Sequence, residues 1–232
     1  MEENQNNQNQ EQTVNTEELK KETVEAVNQV KDTIKNVDIK NDAKEATGFV
    51  SSMFKDPIGT IKNISEDSTN KTLKMAIIFV GIWVIVEFLY QILSIIVSSK
   101  YGFKMSFEKL LTIVKYTIAP IVNVVALSAI VYFMNKENKK SIITTITSIS
   151  IAKIPVILAN VVTLINIISA QASKLTSKFL GFCSVISIVL VYFSTKALCG
   201  EEEDSKFIKK FAIIYAIYYV VSLVISYLGI YI

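Results

Sequence analysis

The sequence contains no arginine and no histidine, and all 24 of its cations are lysine. Without arginine it lacks the bidentate clamp for phosphate and the commonest reader of base edges, so a nucleic-acid partner is not expected. Without histidine it lacks the commonest general base and the commonest metal ligand. Cysteine is nearly absent too. Cys183 and Cys199 form neither a CxxC pair nor a zinc spacing, and they read as small apolar residues. No aspartate falls in any long apolar run, which excludes the paired aspartates of an intramembrane aspartic protease. GxSxG, HExxH, P-loop and GxGxxG patterns are missing as well. The expectation is a protein that is not an enzyme and holds no metal or cofactor.

Long apolar runs dominate what is present. Residues are 51% apolar and mean hydropathy is +0.41, values that suit a small polytopic membrane protein. The run 75–98 is apolar almost throughout, with one carboxylate, Glu87, near its middle. About 20 apolar residues cross the roughly 30 Å hydrocarbon core of a bilayer. Four more runs follow at about 110–134, 142–170, 179–198 and 211–230. The expected fold is all-α, a polytopic transmembrane bundle of about five spans in residues 75–232, with the lipid bilayer as its solvent. The third run is too long for an untilted crossing, and its hydroxyl-rich start, SIITTITSIS, precedes Pro155. A helix broken near that proline would account for both features.

Residues 1–16 are Asn/Gln-rich and read as a disordered tail. The segment 17–74 reads as an amphipathic, juxtamembrane stretch. Within 17–38, Val24, Val27, Val30, Ile34 and Val37 recur at helical spacing. That pattern fits a surface helix on a partner, a short coiled coil or a partly formed helix in a linker. Asp56-Pro57 should break the chain, because proline disfavours helix for the residue before it. Phe49, Met53 and Phe54 could dip into the membrane surface. With a polar N-terminal stretch and no leader pattern, run 75–98 is expected to insert as an uncleaved signal-anchor. Eleven lysines near span ends lie on the side of the N-terminus and six on the other, with Lys153 left unassigned. The N-terminus is therefore expected in the cytoplasm and the C-terminus outside, in the cytoplasmic membrane.

Small and polar residues mark helix–helix faces in lipid. Trp83, Glu87, Tyr90, Gln91, Ser94 and Ser98 share one face of the first span, with Ile85, Leu89, Ile92 and Ile96 opposite. Thr145, Ser148, Ala152, Pro155, Ala159, Asn166 and Ala170 form such a stripe in the third. Gly181, Ser184, Ser187 and Ser194 do so in the fourth, and Tyr215, Tyr219, Ser222, Ser226 and Gly229 in the fifth. The candidate intramembrane polar face comprises Glu87, Gln91, Asn123, Lys153, Pro155, Asn160 and Asn166. Glu87 could serve a proton- or cation-coupled site, or tie the first span to its neighbours while protonated or paired with Lys115 or Lys153. The acids at 201–204 could hold a cation, or could favour the N-terminus of the last helix with Asp204 or Ser205 as its cap.

The layout resembles the Yip family, the Ypt/Rab-interacting five-span membrane proteins and their bacterial relatives. The resemblance rests on Asp56-Pro57 before the first span, on ISIAKIPVILANVV at 149–162 and on DSKFIKKFAIIYAIYYVVSLVI at 204–225. It implies a five-span protein without catalytic activity and assigns no site residue. The family's Tyr-Gly-Pro element is missing, since Tyr101-Gly102 follows the first span and lacks the proline. Two functions stay open. One is a scaffold whose cytoplasmic tail recruits a protein partner. The other is a small transporter, or its membrane subunit, built around Glu87 and the broken third helix.

Overall fold

The computed structural model describes residues 2–66, 69–99, 106–135, 140–167, 170–200 and 203–230. Among them the chain is helical and contains no strand. The helices are α1 (Glu2–Lys35), α2 (Ile39–Lys55), α3 (Pro57–Glu66), α4 (Asn70–Ser99) and α5 (Phe107–Met134). They continue with α6 (Ile142–Ala152), α7 (Ile154–Thr163), a short 3₁₀ turn Leu164–Ile167, α8 (Ala170–Cys199) and α9 (Asp204–Tyr227). The tract 1–16, read as disordered, contributes the start of α1. Its side chains up to residue 15 lie outside the described residues.

Local chemistry explains most helix ends. Asp38 caps α2, its carboxylate accepting from the N–H groups of Lys40 and Asn41 at 3.1 and 3.3 Å. Asp56-Pro57 ends α2 and starts α3. Pro57 needs no N–H at the first helical position, and Asp56 Oδ1 accepts from the Gly59 N–H at 2.9 Å. A Cβ on Gly59 would collide with that carboxylate, which is why glycine stands there. Ser141 Oγ accepts from the Thr144 N–H at 3.0 Å and opens α6. Gly229, with φ 81°, closes α9 in a Schellman motif: Ile230 N–H donates to the Ile225 carbonyl and Gly229 N–H to that of Ser226. Gly229 is thus a helix stop, not part of a packing stripe. At the start of α9 the cap residue is Glu203, without a side-chain cap bond, rather than Asp204 or Ser205. Asp204 instead pairs with Lys196 of α8. Glu201 and Glu202 lie outside the described residues.

Helices α4, α5, α8 and α9 are each long and apolar enough to cross a membrane. The α6–α7 pair, bent by 46°, is a fifth candidate if it counts as one broken span. The break falls at Lys153, two residues before Pro155, as the missing proline N–H and its ring require. Ser187 of α8 donates to the Ala152 carbonyl at 2.9 Å and satisfies one acceptor at the break. These helices define a multi-pass membrane protein.

Contacts between helix ends set the topology. Cys199 donates its thiol to Asn135 Oδ1 at 2.7 Å, joining the end of α8 to the end of α5. The starts of α4, α6 and α9 lie at this same end. Helix α6 runs through the centre, flanked by α3, α4, α5 and α8. Ile149, Ile151 and Ala152 on it are fully enclosed. The expected inward faces hold for α4, where Trp83 is buried and Glu87, Tyr90, Gln91 and Ser94 are half-buried, while Ile85, Leu89 and Ile96 face out. Ile92, placed on the outer face, is half-buried. Gly181 on α8 faces out. Helix α9 is peripheral and fully buries only Phe207 and Ile214. Tyr219, assigned to its packing stripe, is 64% exposed.

Helices α1–α3 fold back onto the bundle. Asp42 meets Lys74 at 2.7 Å, and both side chains are largely enclosed. The Phe49 and Phe79 rings lie 6.3 Å apart. Ile61, Ile64 and Met53 join the main core, and Ser65 of α3 donates to Ser148 of α6 at 3.0 Å. Met53 and Phe49 therefore face protein rather than lipid, and only Phe54 of that trio is exposed. Ala26 and Val30 of α1 pack with Leu73, Ile77, Ile142 and Ile143. Glu22 then spans two helices: it accepts from the Tyr132 hydroxyl at 2.5 Å and from the Ile142 N–H at 2.8 Å. The second bond sets a carboxylate at the positive end of α6, where one is favoured.

Candidate functional site

One polar place within the bundle is the break between α6 and α7. Lys153 sits at the break itself, which proline imposes, and its Nζ lies 5.9 Å from the centroid of the Tyr218 ring of α9. A cation over an aromatic face gains about 2 kcal/mol when desolvated, less when exposed. The Tyr218 side chain also faces the Asn123 amide of α5. Asn123 is buried, and its Oδ1 finds no partner among the described residues; the same holds for the buried Tyr215 hydroxyl. The Tyr215 ring touches those of Phe211 and Tyr218, with centroids 4.7 and 6.1 Å away. Three helices thus bring together a cation, an amide acceptor and a phenol donor. In an apolar surround, unpaired polar atoms are costly. Lys153 and the Tyr215 hydroxyl are donors here and Asn123 Oδ1 an acceptor, the set a small neutral polar group would satisfy.

Only part of the expected polar face meets here. Asn123 and Lys153 converge through Tyr218, and Pro155 is buried two residues beyond the break. Asn160 is buried a turn further along α7, its carbonyl accepting from Thr163 Oγ1 at 2.7 Å. Asn166 accepts from Thr176 Oγ1 at 2.6 Å and ties the 3₁₀ turn to α8, away from the break. Glu87 is bound by the Trp83 indole N–H on its own helix at 3.3 Å, and Gln91 follows one turn later. No ion pair joins Glu87 to Lys115 or Lys153 among the described residues. Lys153 faces Tyr218, while Lys115 reaches Gly229 at the far end of α9. The expected pairing therefore does not form.

Tyr218 and Glu22 were not singled out from sequence, whereas Tyr215 was placed on the packing stripe of the last span. The i, i+3 spacing of Tyr215 and Tyr218 is a helical signal, but Tyr219 beside them offers an equally regular alternative. Glu22 looks like any other acid on a charged helix.

The chain is a multi-pass membrane protein with this polar cluster in its bundle. No protein-family model, curated protein or solved structure matches it.

Proposed function

We propose that this is a non-catalytic scaffold of the cytoplasmic membrane that recruits a protein partner through its N-terminal helices. One observation carries the reading. Helix α1 is clamped to the bundle along Ala26 and Val30, yet Val24, Val27 and Ile34 stand 59%, 60% and 54% exposed along its outer side. That stripe suits one face of a partner helix. The lysine distribution supports placing α1–α3 in the cytoplasm and the C-terminus outside. The Asp56-Pro57 helix junction and the break before Pro155 support kinship with the Yip family. The test is a photo-crosslinking amino acid at position 24 or 27 of the full chain in its native membrane. One discrete protein adduct, lost on Val27→Asp, is expected. Diffuse or absent labelling overturns the reading.

A second reading is favoured by the Lys153 cluster: a small transporter or the membrane subunit of one. Discontinuous helices are a known way to build a substrate site in a membrane. Proteoliposomes should then move a small polar solute or protons, and Lys153→Met should abolish that flux while leaving helix content unchanged. Equal flux in the two proteins overturns it.

A further inference from the structure

Between α2 and the α4/α7 wall runs an apolar groove of about 510 Å³, lined by Ala43, Ala46, Val50, Ile78, Ile82 and Leu158. That volume falls in the range of small-ligand sites, about 300–1,000 Å³. It exists because the Asp42–Lys74 ion pair and the Phe49–Phe79 contact hold α2 against α4 at one side only. The depth of the groove indicates its occupant. Helix α4 has 30 residues, about 45 Å at 1.5 Å per residue, against a hydrocarbon core of roughly 30 Å. The surplus lies where α1–α3 are docked, from Asn70, which accepts from Gln29, to Phe79. Ile78 and Ile82 therefore stand near the boundary between headgroups and acyl chains. From there the groove is continuous with the lipid-facing side chains of α4, Ile85 and Leu89. Lys40 and Lys44 are exposed on the outward edge of α2, beside the groove-lining Ala43 and Thr47. The acid inside the groove, Asp42, is already neutralised by Lys74.

We propose that this groove holds one acyl chain of an anionic phospholipid from the adjoining leaflet, with the headgroup phosphate on Lys40 and Lys44. Each lysine close to a membrane surface attracts anionic headgroups by about 1 kcal/mol. The proposal is independent of the partner-docking stripe, which lies on α1.

The test is native mass spectrometry of the full chain in detergent, titrated with phosphatidylglycerol or with phosphatidylcholine. One phosphatidylglycerol adduct per chain is expected, favoured about tenfold over phosphatidylcholine. Ala43 is exposed, so Ala43→Trp fills the groove from its rim without entering the core; it should lose the adduct, with Thr47→Trp as the second filling variant. Lys40→Gln with Lys44→Gln should keep an adduct but lose the preference for phosphatidylglycerol. An adduct undiminished in whichever filling variant retains wild-type helix content overturns the proposal. So does equal binding of the two lipids by the wild type. A dimer mass that appears in place of the lipid adduct and disappears with Ala43→Trp would assign the groove to a second copy and would likewise overturn it.

Discussion

Glu22→Ala should release α1 from the bundle while leaving the membrane helices in place. Apart from Glu22, α1 is held by small contacts: Ala26 and Val30 against Leu73, Ile77, Ile142 and Ile143, and the exposed Gln29–Asn70 bond of 3.1 Å. Glu22 supplies two bonds from a carboxylate, at 2.5 and 2.8 Å. Bonds to a charged group contribute about 1.5–3 kcal/mol each. Because Glu22 is only half-buried, a combined loss of about 2–3 kcal/mol is the sensible figure. That corresponds to roughly 30- to 150-fold in the docking equilibrium of α1. Hydrogen exchange on the full protein in nanodiscs reads this directly. Amides in the second half of α1 should lose protection by that factor, while those of α5 near Leu127 and Val131 should not change. Glu22→Gln, which keeps one acceptor oxygen, should fall between. Unchanged exchange of α1 in Glu22→Ala would show that the clasp contributes nothing.

Four further outcomes follow from other contacts of the fold. Lys74→Met leaves the enclosed Asp42 carboxylate with only the Asp38 N–H, at 2.7 Å, and should cost about 1–3 kcal/mol; a fall in detergent melting temperature checks it. Lys206→Met, which removes the exposed Lys206–Glu203 pair, should leave melting unchanged. Gly59→Ala sets a methyl group against the Asp56 carboxylate and should cost about 1 kcal/mol through loss of the α3 cap, read by thermal unfolding against Gly48→Ala, which meets nothing. The N–H of Asn41 holds the Asp38 carboxyl below its ordinary 3.8. Its contribution to α2 is therefore present above pH 3.8 and fades as pH falls through the lower native value. Exchange of the first α2 amides should rise in that window, and Asp38→Asn should remove the dependence.

The long apolar helices and the helix break before Pro155 were legible because their causes are local. Apolar length, a proline without an N–H and a serine or aspartate before a helix act within one turn of the chain. Asp56-Pro57 and Pro155 could be read as punctuation from sequence alone, and the structure keeps both. Which way each lipid-facing helix turns was far less legible. A membrane helix is apolar all round, so no hydrophobic period marks its inner side. Tyr218 faces inward and its neighbour Tyr219 outward, a choice made by Asn123 and Lys153 on other helices. Glu87 offered two distant lysines on paper and took the indole one turn away.

The sequence by itself thus determined that this is a helical, multi-pass membrane protein with a polar N-terminal segment, and it marked Pro155 as the place for a helix break. Only the tertiary structure decided that the N-terminal segment is a docked layer. It also decided that Lys153 shares a cluster with Tyr218 and Asn123, and that an apolar groove lies under α2. The reason is distance along the chain: Glu22 meets Tyr132 and Ile142 across 110 and 120 residues. No spacing or period encodes such a contact. It exists only once the helices between have packed.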